Sequence, residues 1–243
     1  MFNFVLLLNS LHMKKYKHIF FDLDHTIWDF DKNAEETLFE LYDAYSLKEK
    51  GLHSAELFIE TYTRNNHQLW QQYHSGAITK QHLRETRFSK TFTDLGIAPE
   101  MIPENFEDDY VRICPTKCNL FPQAHETLAY LQEKYCLHLI SNGFKESTEC
   151  KIEGSLLAKY FDTIVISEVV GVNKPDKAIF EFATSGAKAH KTESLMVGDS
   201  LEADIQGALN FGMDAVYFNP LQKEKPDYVN QQIHNLCELM NLL

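Results

Sequence analysis

The sequence predicts an α/β protein, a doubly wound, Rossmann-like parallel sheet with an inserted all-α unit. Three observations carry this. A short apolar run ending in acid, His18–Leu23, reads as a buried strand. From about Asn33 to Arg112 the texture is helical, with no strand-like alternation. From Phe121-Pro122 onward, strand and helix patterns alternate, which implies parallel strands joined by right-handed crossovers.

The elements follow in order. Within the helical stretch, Ser54 can cap a helix carrying Phe58, Tyr62, Leu69 and Tyr73 at helical spacing, ended by Ser75-Gly76. A second helix runs from about Thr79 to Leu95 with Phe88, Phe92 and Leu95 on one stripe. The later alternation predicts a helix over 123–134, a strand over Leu137–Ile140 and, after Ser141-Asn142-Gly143, another helix. A strand over Thr163–Ser167 and a helix from Pro175 to Gly186 come next. Strand Ser194–Val197, helix Leu201–Phe211 and strand Asp214–Phe218 complete the alternation, and Ile233–Leu242 reads as a closing amphipathic helix. Residues 1–12 read as an upstream extension ahead of Met13, too short and wrongly flanked for a membrane span or signal peptide. The expected division is 13–30 with 119–243 as the α/β core, and 31–118 as the helical insertion.

Charge narrows the partners. The 243 residues carry 23 basic against 35 acidic side chains, net −12, which argues against nucleic acid polymers and anionic membrane surfaces. A small anionic substrate fits only if the site supplies positive charge through a metal, a lysine or a helix N-terminus. The five cysteines (114, 118, 136, 150 and 237) are odd in number and follow no disulfide framework, so reduced thiols and a cytoplasmic location are expected. Cys114 and Cys118 lack a second pair to complete a zinc site, and His67, His74 and His82 lack a carboxylate partner in sequence.

Ligands of doubly wound sheets sit at the carboxyl ends of the strands, where this sequence concentrates its polar residues. Asp22 and Asp24 follow the first strand, and Gly198-Asp199-Ser200 with Asp204 follow a later one. Carboxylates gathered in this way need a cation between them or a shared proton, and an all-oxygen set suits Mg²⁺. Ser141-Asn142-Gly143 ahead of a helix supplies donors for an anion, and Lys174 adds positive charge. The four segments together describe a phosphate site, cation on one side and donors on the other.

The segments DLDHT, SNG, NKP and GDSLEAD, in this order, resemble the haloacid dehalogenase (HAD) superfamily from Lys14 onward. The resemblance implies a C1-type cap for the helical insertion and a Mg²⁺-dependent phosphomonoesterase. Asp22 would be the nucleophile forming an aspartyl-phosphate, and Asp24 the general acid/base. Asp22, the Asp24 carbonyl and Asp199 would hold Mg²⁺. Thr26, Ser141, Asn142 and Lys174 would bind the phosphoryl group, with Ser200 behind them and Asp204 either behind them or an occasional metal partner. Asp24 sets the chain apart from the dehalogenases of the superfamily, which need no acid there. The stretch around Trp28-Asp29-Phe30 and the cap residues Asn66, Trp70 and Arg87-Phe88 resemble the bacterial pyrimidine 5′-nucleotidase branch. That resemblance makes Trp28, Asn66, Trp70, Arg87 and Phe144 candidates for base and sugar recognition. For Trp70 the alternative is cap core; for Arg87 it is a surface ion pair with Glu85 or Asp94. The rival functions are a sugar-phosphate or phosphoglycolate phosphatase, a phosphomutase, and a metal- or metabolite-binding protein without turnover.

Overall fold

The structure is a computed structural model, and it describes residues 16–243. The extension expected over 1–12 lies outside the described residues. The chain forms two compact units. One comprises residues 16–27, Phe121–Gly143 and Leu157–Leu243; the other comprises Trp28–Leu120 and Phe144–Leu156.

The first unit is built on a six-stranded, wholly parallel sheet of order β3-β2-β1-β4-β5-β6. Its strands are β1 His18–Phe21, β2 Cys136–Ser141, β3 Thr163–Ile166, β4 Ser194–Gly198, β5 Asp214–Phe218 and β6 Gln231–Ile233. The central strands read as continuous apolar runs because helices cover both faces of a parallel sheet. In register, Ile19 of β1 lies between Leu137 of β2 and Leu195 of β4. On one side Phe20, Ile140, Val165 and Met196 pack with Ile179, Phe180 and Ala183 of a helix spanning Lys177–Gly186. Each such fully buried Phe or Ile contributes about 1.5–3 kcal/mol over its exposed state. The neighbours of β1 are β2 and β4, which come much later in the chain, so the order reverses at β1 and opens a crevice at its carboxyl end.

The structure departs from the sequence reading in three places here. The Lys177–Gly186 helix starts later than Pro175, because Asp176 is its cap and accepts from Ala178 N. The expected helix 201–211 opens as a π-type turn, Leu201–Gln206, and only Gly207–Phe211 is α-helical. The Ser200 carbonyl accepts from Ile205 N at 3.1 Å, five residues on, and the extra residue in this turn lets Asp204 fold back inward. The expected closing helix Ile233–Leu242 is instead split: Ile233 ends edge strand β6, and only short turns at Leu236–Glu238 and Leu239–Leu242 are helical.

The second unit is helical: α1 Phe30–Ala44, α2 Ala55–His74, α3 Lys80–Asp94, α4 Phe106–Ile113 and, from the later segment, α5 Lys145–Gly154. Ser54 caps α2 as its position implies, accepting from Leu57 N at 3.1 Å. The core is aromatic, with Phe58, Tyr62, Phe88, Phe92, Phe106 and Tyr110 in mutual ring contact. The chain's entry and exit are tied together: Asn33 Nδ2 donates to the Asp29 and Asn119 carbonyls, and Asn33 Oδ1 accepts from the Asn119 main chain and side chain. Phe144–Leu156, expected in the core, clusters with this unit. Phe144 packs with Leu69 and Leu83, and the Lys151 ammonium lies 4.3 Å from the Trp28 ring centroid. All five cysteines are free thiols. Among the described residues no helix is long and apolar enough to cross a membrane.

Candidate active site

The site in the first unit is assembled from four loops at the carboxyl ends of adjacent strands. Asp22 continues β1, its N–H donating to the Val197 carbonyl of β4 at 2.9 Å. The chain then turns at once: Thr26 N and Ile27 N both return to the Leu23 carbonyl, and His25 takes φ 62. Such left-handed backbone is uncommon outside glycine and occurs at tight functional turns. Ser141 ends β2, Lys174 lies in the loop beyond β3, and Asp199 follows β4.

The carboxylates of Asp22, Asp199 and Asp204 each offer an oxygen within 4.8 Å of the others. Asp204 thereby lies within the cluster. Its Oδ2 accepts from Ser200 N at 3.0 Å, and its Oδ1 lies 2.7 Å from Lys174 Nζ. Gly198 makes this possible, since a Cβ there would lie 2.2 Å from Asp204 Oδ2. Ser200 acts locally, its Oγ accepting from Ala203 N to cap the π-type turn.

Lys174 is the buried counter-charge. Its ammonium donates to Asp22 Oδ1 at 2.6 Å and to the Ile140 carbonyl at 2.7 Å, and pairs with Asp204. An ammonium has three donors, so all three face protein partners. The expected charge offset at Asp22 is thus present, but a phosphoryl contact would require one partner to be exchanged. Burial alone would lower the lysine; Asp204 and Asp22 outweigh it and hold Lys174 above its ordinary range. Burial pushes Asp22 up to about 7, opposed by Lys174 and reinforced by Asp204 and Asp24. Asp199 is pushed well above the usual carboxylate range, first by burial and then by Asp22 and Asp204. One lysine does not balance this set. Three converging carboxylates, with Asp22 and Asp199 pushed toward protonation and oxygen donors alone, fit a small hard divalent ion.

Two residues expected at the phosphate, Thr26 and Asn142, have side chains bonded to protein partners. Thr26 is fully buried, and its hydroxyl both donates to Asp199 Oδ1 at 3.3 Å and accepts from Asp199 N at 3.1 Å. It staples the β1 loop to the β4 loop and has no surface toward a substrate. The Asn142 side chain is taken up by Lys174, bonding both its N–H and its carbonyl. Ser141 is buried at the strand end with Oγ accepting from Gly143 N at 3.0 Å. Asp24 is partly exposed beside this set.

The specificity candidates lie in the helical unit, and several are structural. Trp28 is fully buried, with Nε1 donating to the Lys117 carbonyl at 3.1 Å. Arg87 is 4% exposed and forms a bidentate pair with Glu107, both bonds 2.7 Å, while its guanidinium lies 4.8 Å from the Tyr110 ring centroid. Its ion-pair partner is thus Glu107, and not Glu85 or Asp94. Trp70 packs on Tyr73 and Phe144, with ring centroids 5.4 and 4.9 Å away, as the core alternative expects, and is only partly buried. Asn66 is buried, and its Oδ1 has no hydrogen-bond partner among the described residues. His67 does have a carboxylate neighbour, Asp31, at 3.5 Å. Sequence reasoning missed Glu107, the Ile140 carbonyl and the side-chain role of Asn142. The one local sign was Asn142 itself, whose amide offers both a donor and an acceptor.

Over residues 16–212 the chain matches the haloacid dehalogenase-like hydrolase family model, and it belongs to that family. It is 34% identical over 232 residues to pyrimidine 5′-nucleotidase YjjG of Escherichia coli, covering 94% of this chain and 98% of that one. Pyrimidine 5′-nucleotidase PynA of Streptococcus pneumoniae is 32% identical over 232 residues, covering 94% and 95%. Among solved structures, magnesium-bound YfnB of Bacillus subtilis superposes with TM-score 0.82 at 28% identity, covering 94% of this chain and 99% of that one.

Proposed function

We propose that the protein is a Mg²⁺-dependent phosphatase of nucleoside 5′-monophosphates, with pyrimidine nucleotides preferred. The observation that carries this reading is the convergence of Asp22, Asp199 and Asp204 around one buried ammonium at the crevice of a parallel sheet. The naming of YjjG and PynA as pyrimidine 5′-nucleotidases supports the substrate class.

Asp22 attacks phosphorus through Oδ2, since Oδ1 is held by Lys174. The phosphoryl group passes to the carboxylate and the substrate's ester oxygen leaves. Asp24 protonates that oxygen and later takes a proton from the water that cleaves the aspartyl-phosphate, restoring Asp22 and releasing phosphate. Lys174 keeps Asp22 oriented and offsets its charge as the phosphoryl dianion approaches. Ser141 and the main-chain N–H of Asn142 bind the phosphoryl oxygens. Asp22, Asp199 and the Asp24 carbonyl would hold Mg²⁺, with Asp204, tied to Ser200 N and Lys174, in the same cluster. When bound, the ion would supply positive charge against the phosphoryl group's negative charge.

The test is Mg²⁺-dependent phosphate release from a panel of pyrimidine and purine 5′-monophosphates, sugar phosphates and phosphoglycolate. Preference for 5′-UMP or 5′-dTMP supports the reading. Preference for a sugar phosphate keeps the chemistry and discards the nucleotide. Release only with a bisphosphate primer would make the protein a mutase, and no release would leave a binding protein.

A further inference from the structure

Lys174 belongs to no helix or strand. It sits in the loop ahead of Asp176, the cap of the Lys177–Gly186 helix. Its ammonium nevertheless meets three acceptors at 2.6–2.7 Å. Something must fix its main chain first, because a long flexible side chain on an unanchored loop would not hold one position. The end of β2 does this twice. The Ile140 carbonyl takes the ammonium, and two residues later the Asn142 amide takes the peptide: Oδ1 accepts from Lys174 N at 2.8 Å, and Nδ2 donates to Lys174 O at 3.0 Å. Both residues are buried. Two opposed bonds to one residue fix its orientation as well as its place, and only a side chain with one donor and one acceptor can make both.

We propose that Asn142 is a positioning residue, which sets the Lys174 main chain and through it the ammonium on Asp22. The inference rests on the reading of Asp22 as nucleophile. Without the amide, the buried N–H and carbonyl of Lys174 are left unpaired, and the loop shifts to satisfy them.

A double-mutant cycle tests this, with Asp22→Asn as the control for the underlying reading. Asn142→Ala should lower kcat about 10- to 100-fold, the cost of small misplacements at a reacting centre, with KM changing far less. The Ki of inorganic phosphate should also stay close to wild type. The loss should be absent in a Lys174→Met background, because Asn142 acts only through Lys174. Three results would overturn the proposal: losses that multiply in the double variant, a phosphate Ki rising in step with the fall in kcat, or unchanged kcat per folded molecule. A readout independent of activity completes the test. Amine-reactive labelling of native protein should modify Lys174 several-fold faster in Asn142→Ala, while buried Lys151 stays protected. Equal protection of Lys174 in both proteins would refute the idea even if no monoester is hydrolysed. If the alanine variant does not fold, Asn142→Leu keeps the side chain's shape, removes the same two bonds and is read in the same way.

Discussion

Asp204 approaches the β4 turn so closely that position 198 admits no side chain. Glycines are usually assigned to backbone freedom, but here the requirement is space. Asp204 is held by Ser200 N and Lys174, so it cannot retreat without breaking the cluster. Gly198→Ala should therefore destabilise the protein by about 1–3 kcal/mol, the usual cost of overpacking, and weaken Mg²⁺-dependent turnover together with it. Thermal unfolding checks this; an unchanged midpoint would mean that Asp204 moves freely and is no fixed member of the site. At this scale the sequence was readable where chemistry follows from residue type. Asp22 and Asp199 announced themselves as charges at strand ends, and Lys174 as a charge in the loop after one. Thr26 and Asn142 did not, because a hydroxyl or an amide in a loop serves a substrate or a neighbouring loop equally well. Only the fold shows that Thr26 faces Asp199 and Asn142 faces Lys174.

The strands and the two long cap helices were legible as elements, because apolar runs and helical stripes are local signals. Elements with weak local signals were not. β6 is three residues long, two of them glutamine, and owes its existence to pairing with β5. Helix α4 hides the partner of Arg87, twenty residues away in sequence. Four acidic or basic residues crowd this region, and nothing local tells which pair becomes buried. Arg87→Met removes the interior half of a buried bidentate pair. The expected loss is about 3 kcal/mol, at the low end for such pairs, because Arg84 Nε still reaches Glu107 at 3.1 Å. Urea unfolding followed by tryptophan fluorescence reports it, since Trp28 and Trp70 both lie in this unit. A loss below about 1 kcal/mol would mean that the pair adds little beyond a surface ion pair.

For the whole molecule, the acidic site couples metal, pH and stability. The ordinary carboxyl value for Asp22 is 3.8, and the metal-free fold raises it to about 7. Between those values the folded carboxyl keeps a proton that the unfolded chain has shed. Its contribution to stability is therefore full below the lower value and lost as pH rises through the window. A cation binds the ionised form and offsets that loss, adding stability by mass action. Saturating Mg²⁺ should raise the unfolding midpoint more at pH 8 than at pH 5. Calorimetric scans with and without the ion decide it, and an equal or larger gain at pH 5 would contradict the arrangement of charges described here. The chain's excess of acid, net −12, is compatible with an anionic substrate because positive charge is concentrated at one buried lysine and the proposed ion.

The central claim is that Asp22 is the nucleophile of a phosphomonoesterase. Asp22→Asn preserves shape and removes the attacking oxygen's charge, so it tests the claim directly. Phosphate release from a pyrimidine 5′-monophosphate, with Mg²⁺ present and the fold verified by circular dichroism, should fall on the order of 10³-fold or more. A folded Asp22→Asn protein that releases phosphate at the wild-type rate would contradict it.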